Sequence, residues 1–481
     1  MHICRLQAMQ HSTRESWRND MSQELKKSLQ LRHLTMIAFG GSIGAGLFVG
    51  SGALIKLTGP AAVVTALIAG LLVIMVMRML GEMVVAKPSL GSFSDYAREA
   101  LGNWAGFSVG WLYWYFWVIV IAVEAIAGAA ILKDWLFPDT SLWVLNLSIM
   151  VLLTITNLFS VRAYGEFEYW FSLIKIVAIV LFLICASAFV LGLLPNTKMD
   201  FSNLTAHGGF APLGYSAAFL AVATIIFSFV GSEVVTIAAA ESVESERAVV
   251  RAVNSVIVRI MTFYVGSVFL VVMIVPWTDH QALVNPYVSA LKTIGIPYAD
   301  KIMNLVIVTA VLSCLNSGIY TASRMLFALA DKQDAPQAIK KLTGNGVPVR
   351  AILTCTVFGF VSVVMAFISP DTVFQFLLNS SGAIAIFVYL LIAISQLILR
   401  KKYERECPEK LKIRMWCFPY LTILTIVSLC LIILTMAYNP DTRSQLFLSV
   451  VSFAIVIILY RIKTAVQSRK QKNDALTKVK I

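Results

Sequence analysis

The chain has 481 residues, of which 58% are hydrophobic and 14% charged, and its mean hydropathy is +0.80. A soluble protein carries charge at about a quarter of its positions, so no water-soluble core can absorb this much apolar surface. The formal charge of +13, from 39 Lys and Arg against 26 Asp and Glu, would suit a nucleic-acid binder only if the basic residues shared one face; their placement along the chain decides.

Residues 1–33 are polar and basic, with no short apolar stretch ending at a small-residue cleavage site, so they do not read as a cleaved signal peptide. Met21 opens a plausible shorter start. A helix needs ~20 apolar residues to cross hydrocarbon, because each backbone N–H and C=O must bond within its own segment. Such runs fall near 34–54, 61–86, 106–132, 142–160, 168–194, 213–239, 255–276, 301–322, 348–368, 372–398, 416–437 and 444–461. With the N-terminus in the cytoplasm, 32 of the 39 Lys and Arg flank the spans on the cytoplasmic side and 6 on the outer side. Lys175 alone is then read as lying inside a span. Cytoplasmic loops of membrane proteins carry such an excess of Lys and Arg. The basicity is therefore topology, and nucleic acid is excluded as a partner.

The seven cysteines fit this placement. Cys185, Cys314, Cys355 and Cys430 fall in spans, and Cys4, Cys407 and Cys417 on the cytoplasmic side. None lies in an outer loop, so a disulfide framework is not expected. The loops are short. The longer cytoplasmic pieces, Asp331 to Arg350 and Arg400 to Arg414, read as topogenic charge with a solvated face, and the tail from Arg461 to Ile481 as disordered.

Two spans depart from an ordinary helix. The first contains GGSIGAGLFVGSG, with glycines at 40, 41, 44, 46, 50 and 52; the sixth contains FSFVGSE, where Gly231, Ser232 and Glu233 interrupt an apolar run. Glycine weakens a helix interior by ~1 kcal/mol relative to alanine. A cluster of glycines either brings helices into close contact or lets the backbone unwind in mid-membrane. The spacing favours unwinding: the two segments lie five spans apart, so spans 1–5 and 6–10 run in opposite directions. Interrupted segments at matching positions of an inverted repeat mark a transporter's binding site. Unwinding from Ser42 to Gly46 frees backbone N–H groups at a half-helix N-terminus, a seat for a carboxylate. A break at Phe229 to Ser232 frees carbonyls that can accept from an ammonium group. Together they suit a zwitterion such as an amino acid better than a sugar.

Few ionisable residues lie well inside the spans, and each is costly enough to need a reason. Glu124, in the third span, can pair with a substrate ammonium or relay a proton, or be a protonated acid bonded between helices. Lys175, in the fifth, can occupy the place of a sodium ion and gain and lose a proton, or snorkel to the cytoplasmic surface. Glu233 either helps hold the sixth-span break open or binds. Arg78 and Glu82, spaced i, i+4, read as an interfacial ion pair. Asn316, Ser317 and Ser380 either line a polar path or join helices. The aromatic run WLYWYFWV, Trp111 to Val118, reads as mostly lipid-facing or interfacial, with one ring able to cover the site. The five histidines have no metal-ligand spacing, no GxxxxGK[ST] motif is present, and the spans hold no Ser/His/Asp set or carboxylate dyad. No enzyme activity and no cofactor are expected, and energy for transport would come from an ion gradient.

The segments LRHLTMIAFGGSIGAGLFVGSG, GPAAVVTALIAGLLVIMVMRMLGEM, GEFEYWFSLIKIV and FSFVGSEVVTIAAAES resemble, in order, the bacterial amino acid permeases of the amino acid–polyamine–organocation superfamily. The likeness runs from about Gln30 to Tyr460. GWLYWYFWVIVIAVEAIAGA, VLSCLNSGIYTASRML, SPDTVFQFLLNSSGAIA and VYLLIAISQL are most similar to the γ-aminobutyrate permeases within it.

The resemblance implies an all-α integral membrane protein of about twelve spans, with a leucine-transporter-like 5+5 inverted repeat, broken helices 1 and 6 and two peripheral helices. It implies a cytoplasmic tail (1–32), a transport core (33–400), a basic loop with helices 11 and 12 (401–462) and a cytoplasmic tail (463–481). It also implies proton-coupled symport of γ-aminobutyrate or a related small amino acid by alternating access across the bacterial inner membrane, with both termini cytoplasmic. The partners would be the amino acid, protons and lipid, with no obligate protein partner. Residue by residue, Ser42, Ile43, Gly44, Ala45 and Gly46 would take the carboxylate. Phe227, Ser228 and Gly231 would face the amino end, Glu124 would be the third-span acid, and Lys175 the proton-linked lysine. Many relatives for α-amino acids read G-T-G-L-F where this chain has Gly44, Ala45, Gly46, Leu47 and Phe48; losing the threonine hydroxyl suits an ω-amino acid. A permease for an α-amino acid such as proline or an aromatic one, and a non-transporting amino acid sensor, are the alternatives.

Overall fold

The computed structural model describes residues 28–479 apart from 42, 49, 90, 196, 243–244, 369–382 and 407. Among them every regular element is helical. Ten stretches are long and apolar enough to cross a bilayer. One of them, Gly46–Ala86, holds the second half of the first span and all of the second, and the ninth span is Val349–Ile368, so the order of twelve expected crossings is met. The second span, Ala62–Ala86, has 25 residues, about 37 Å at 1.5 Å per residue, enough to cross ~30 Å of hydrocarbon.

The bundle is organised around the two interrupted spans. The first runs as Leu31–Gly40, then Ala45–Phe48 and Gly50–Thr58. The sixth runs as Gly214–Leu220 and Val222–Ile226, tightens at Phe227–Phe229, and resumes at Val234–Ala238. Around them stand two long helices, the third span Asn103–Trp135 and the eighth Ala299–Asp331, which pack closely: a Cβ on Gly318 would meet Ile121 at 3.1 Å and Trp117 at 3.2 Å. Breaks in spans 1 and 6 give the architecture of the 5+5 inverted repeat with two further helices, Tyr420–Tyr438 and Pro440–Val479. Those two, with the fifth span Val161–Val190, present most of their surface outward, as Trp170, Leu181, Leu434 and Phe447 do. With lipid as solvent, an exposed apolar face there needs no partner.

Five expectations are corrected. The aromatic run is not mainly lipid-facing: Tyr113, Phe116 and Trp117 are buried in the bundle, because the third span is surrounded by other helices. Arg259 in the seventh span is also buried, so Lys175 is not the only base held inside. Ile260 beside it packs on Gly70, close to the middle of the second span. The last helix continues to Val479, through a segment free of Gly and Pro and rich in good helix formers, where disorder was expected. Lys463 on that helix pairs with Asp334.

The basic segment after Arg400 is not merely solvated charge. Arg78 donates to the Arg414 carbonyl (2.9 Å) and to Asn254 Oδ1 (2.9 Å), leaving Glu82 to other partners. Glu82 accepts from Arg400 Nη1 (2.6 Å), Gln396 Nε2 (2.9 Å) and the Met415 N–H (2.5 Å). The loop is thereby clamped across the basic ends of spans 2 and 10. Removing one partner of a buried pair strands the other charge at a cost of about 3–5 kcal/mol. Arg400→Ala should therefore lower the melting temperature in detergent strongly, and Glu82→Gln with Arg400→Ala should recover part of the loss. Equal melting of the single and double variants would count against the clamp.

Candidate functional site

The two breaks meet. At the first, the helix ends at Gly40, Ile43 N–H turns back to the Gly40 carbonyl (3.1 Å), and helical structure resumes at Ala45. Glycine is demanded there by proximity: a Cβ on Gly40 would lie 1.7 Å from Ser172 Oγ, and one on Gly41 would meet the Gly231 carbonyl at 3.1 Å. At the second break Val230 is extended and Gly231 takes φ +109°, a conformation open to glycine and strained for other residues.

Side chains bond the groups that unwinding exposes. The Gly231 N–H donates to both Glu233 carboxylate oxygens (3.2 Å each), which also accept from Tyr113 OH (2.9 Å) and Tyr389 OH (3.2 Å). Tyr264 OH donates to the Ser228 carbonyl (2.6 Å), and Ser228 Oγ to the Gly46 carbonyl (3.1 Å). Lys175 Nζ donates to the Gly40 carbonyl (2.6 Å) and to Ser313 Oγ (2.9 Å). An unsatisfied backbone group in hydrocarbon costs several kcal/mol, so these bonds are what make the irregular backbone tolerable.

A partly open pocket, about 360 Å³ with the open space at its mouth included, lies between the breaks. Gly44, Gly46, Glu124, Phe227 and Ser228, five of the expected site residues, line it. Glu124 Oε2 makes no hydrogen bond among the described residues. Ile43 and Gly231 are buried behind the wall, Lys175 is buried at the Gly40 carbonyl, and Ser42 and the Ala45 side chain lie outside what is described. Ser380 also lies outside the described residues. Asn316 accepts from Asn157 Nδ2 (2.8 Å) and joins the fourth and eighth spans.

Gly41 and Val230 at the two breaks, Phe116 and Trp117 of the aromatic run, from which one ring was expected over the site, and Val120 and Cys314, which sequence reasoning did not single out, complete the lining. A signal existed for three of them: Phe116, Trp117 and Val120 share a helical face with Glu124, at spacings of eight, seven and four. Phe116 and Phe227 meet with ring centroids 5.7 Å apart and form an aromatic wall. Glu168, seven residues before Lys175 and on the same face, lies outside the cavity lining.

Two abutting helix breaks around a cavity, inside a bundle of twelve crossings, define a multi-pass membrane transporter. The amino acid permease family model matches residues 33–476, and the chain belongs to that family. It is 54% identical over 443 residues to the γ-aminobutyric acid permease of Bacillus subtilis, covering 92% of this chain and 94% of that one. It is 46% identical over 424 residues to the γ-aminobutyric acid permease of Escherichia coli, covering 88% and 91%. An aromatic amino acid transport protein of Corynebacterium glutamicum is 40% identical over 443 residues, covering 91% and 95%. The protein is an amino acid transporter.

A Cβ at position 46 would fall 2.7 Å from Ser228 Oγ and 3.0 Å from the Ser228 backbone. Gly46→Ala should therefore push the two breaks apart and lower amino acid uptake at least tenfold, with expression and melting temperature little changed. Uptake at the parent rate would show that the close approach of positions 46 and 228 is not needed.

Proposed function

We propose that the chain is a proton-coupled symporter that carries γ-aminobutyrate, or a closely similar ω-amino acid, by alternating access into bacterial cells. It would lie in the inner membrane with both termini cytoplasmic, so that the basic end of the bundle faces the cytoplasm. The observation that carries the substrate reading is the cavity's polarity. On one side a half-helix resumes at Ala45 with its N-terminal amides toward the break; on another stands Glu124, with one carboxylate oxygen unbonded. Separate seats for an anion and a cation suit a zwitterion whose charges are held apart by a methylene chain. The γ-aminobutyric acid permeases among the relatives support the same reading, as does alanine at position 45 in place of the threonine of α-amino acid permeases.

Lys175 supports the coupling reading. Its ammonium sits where the broken first span needs a cation, and a lysine can be charged in one half of the cycle and neutral in the other. One elementary charge moved through ~100 mV is worth ~2.3 kcal/mol, enough for roughly 50-fold accumulation of a net-neutral solute.

Proteoliposomes with an imposed inward proton gradient should accumulate radiolabelled γ-aminobutyrate saturably, an uncoupler should abolish accumulation, and excess proline or phenylalanine should not compete. Accumulation of an α-amino acid instead would overturn the substrate, and binding without accumulation would point to a sensor. Ala45→Thr should shift preference toward α-amino acids; an unchanged preference for γ-aminobutyrate would remove this residue as the cause.

A further inference from the structure

The cavity and the breaks do not account for a row of buried polar groups between the fifth and eighth spans. From Lys175 toward the basic end, the fifth span carries Ser172, Glu168 and Tyr164 on one face, and the eighth carries Ser313, Ser317 and Tyr320 opposite. Lys175 Nζ donates to Ser313 Oγ (2.9 Å), and Ser313 Oγ in turn donates to Glu168 Oε1 (2.7 Å). The two bonds point the same way, from ammonium to hydroxyl to carboxylate. Further along, Tyr164 OH shares a hydrogen bond with Ser317 Oγ (3.3 Å), and its ring stacks parallel on Tyr320 with centroids 4.0 Å apart. Tyr320 OH donates to Glu241 Oε1 (3.1 Å), at the basic end of the sixth span, where Arg324 Nε also bonds (2.7 Å).

Polar side chains between membrane helices often serve only to join them. Joining would leave few polar atoms unsatisfied, yet one oxygen of Glu168 and one of Glu241 are buried with no hydrogen-bond partner among the described residues. A carboxylate with an unbonded oxygen out of water is costly as an anion, and protonation of the group removes the charge that makes it so.

We propose that Glu168 receives the coupling proton from Lys175 through Ser313, and that the seam between spans 5 and 8 leads the proton on toward Glu241 and the cytoplasm. The proposal rests on the proton-coupled reading given above. In the step, Ser313 gives its hydroxyl proton to Glu168 Oε1 as Lys175 Nζ gives one to Ser313 Oγ. The serine is regenerated, the ammonium becomes an amine and the carboxylate a carboxylic acid. A buried ion pair turns into two neutral groups, which a low-dielectric site tolerates more readily. The charged groups around Lys175 are Glu168 on its own span, Glu124 on the third and Cys314 on the eighth, with the Gly40 carbonyl of the first. Neutralising Lys175 weakens its hold on that carbonyl, so proton departure loosens the first-span break and ties the relay to the site.

The test uses the full chain in proteoliposomes, with a pH dye inside. An inward γ-aminobutyrate gradient reads substrate-linked proton entry, and exchange of labelled for unlabelled γ-aminobutyrate at equal pH reads the substrate cycle alone. Glu168→Gln should keep exchange within about twofold of the parent, while proton entry and gradient-driven accumulation fall at least tenfold. Ser313→Ala keeps both charges, should show the same split, and decides the matter if Glu168→Gln does not fold. Proton entry retained in a folded variant, or exchange lost together with accumulation, would overturn the relay. A parent protein that accumulates γ-aminobutyrate without proton entry would overturn the coupling reading itself.

Discussion

Backbone amides and carbonyls in hydrocarbon must be bonded within the protein, and among the described residues the crossings meet that demand largely by helix formation, with breaks in the first and sixth spans. At those two places the obligation passes to side chains. Glu233 takes the free Gly231 N–H, Tyr264 the Ser228 carbonyl and Lys175 the Gly40 carbonyl. Remove these and the irregular backbone has no reason to persist in the membrane. The same groups fix where a ligand can sit, because the space left between the breaks is lined by backbone that no neighbouring turn covers.

This dependence explains why ionisable residues are tolerated in the bundle. Glu233 stands in for the missing helical carbonyl acceptors, with two tyrosines sharing its charge. Lys175 is a second donor to the Gly40 carbonyl at the first break, beside the Ile43 N–H. Each is buried at an energetic cost that an unbroken helix would avoid, and each repays it by keeping a polar site open in mid-membrane. Glu124 differs from both, since it lines the cavity and one of its oxygens is buried without a hydrogen-bond partner among the described residues.

Much of this was legible in the sequence. Apolar run lengths marked the spans, and two glycine-bearing interruptions five spans apart marked the breaks between which the cavity lies. Gly44, Gly46, Glu124, Phe227 and Ser228 were found because each sits in or beside an anomaly: a glycine cluster, a break, or a charge in an apolar run. Phe116, Trp117, Val120 and Cys314 carry no such anomaly, since apolar residues on a buried face look the same whether they border a cavity or another helix. Glu82 shows a different limit. Its nearest base in sequence is Arg78, yet it pairs with Arg400 across more than three hundred residues, a choice set by packing of the tenth span that local spacing does not contain.

If the two helix breaks hold the substrate between them, hydrogen exchange of the backbone amides will register it. With γ-aminobutyrate bound, amides from Ile43 to Gly46 and from Val230 to Ser232 should both exchange markedly more slowly than in the free protein. Protection at other helices, with both breaks unchanged, would contradict the account.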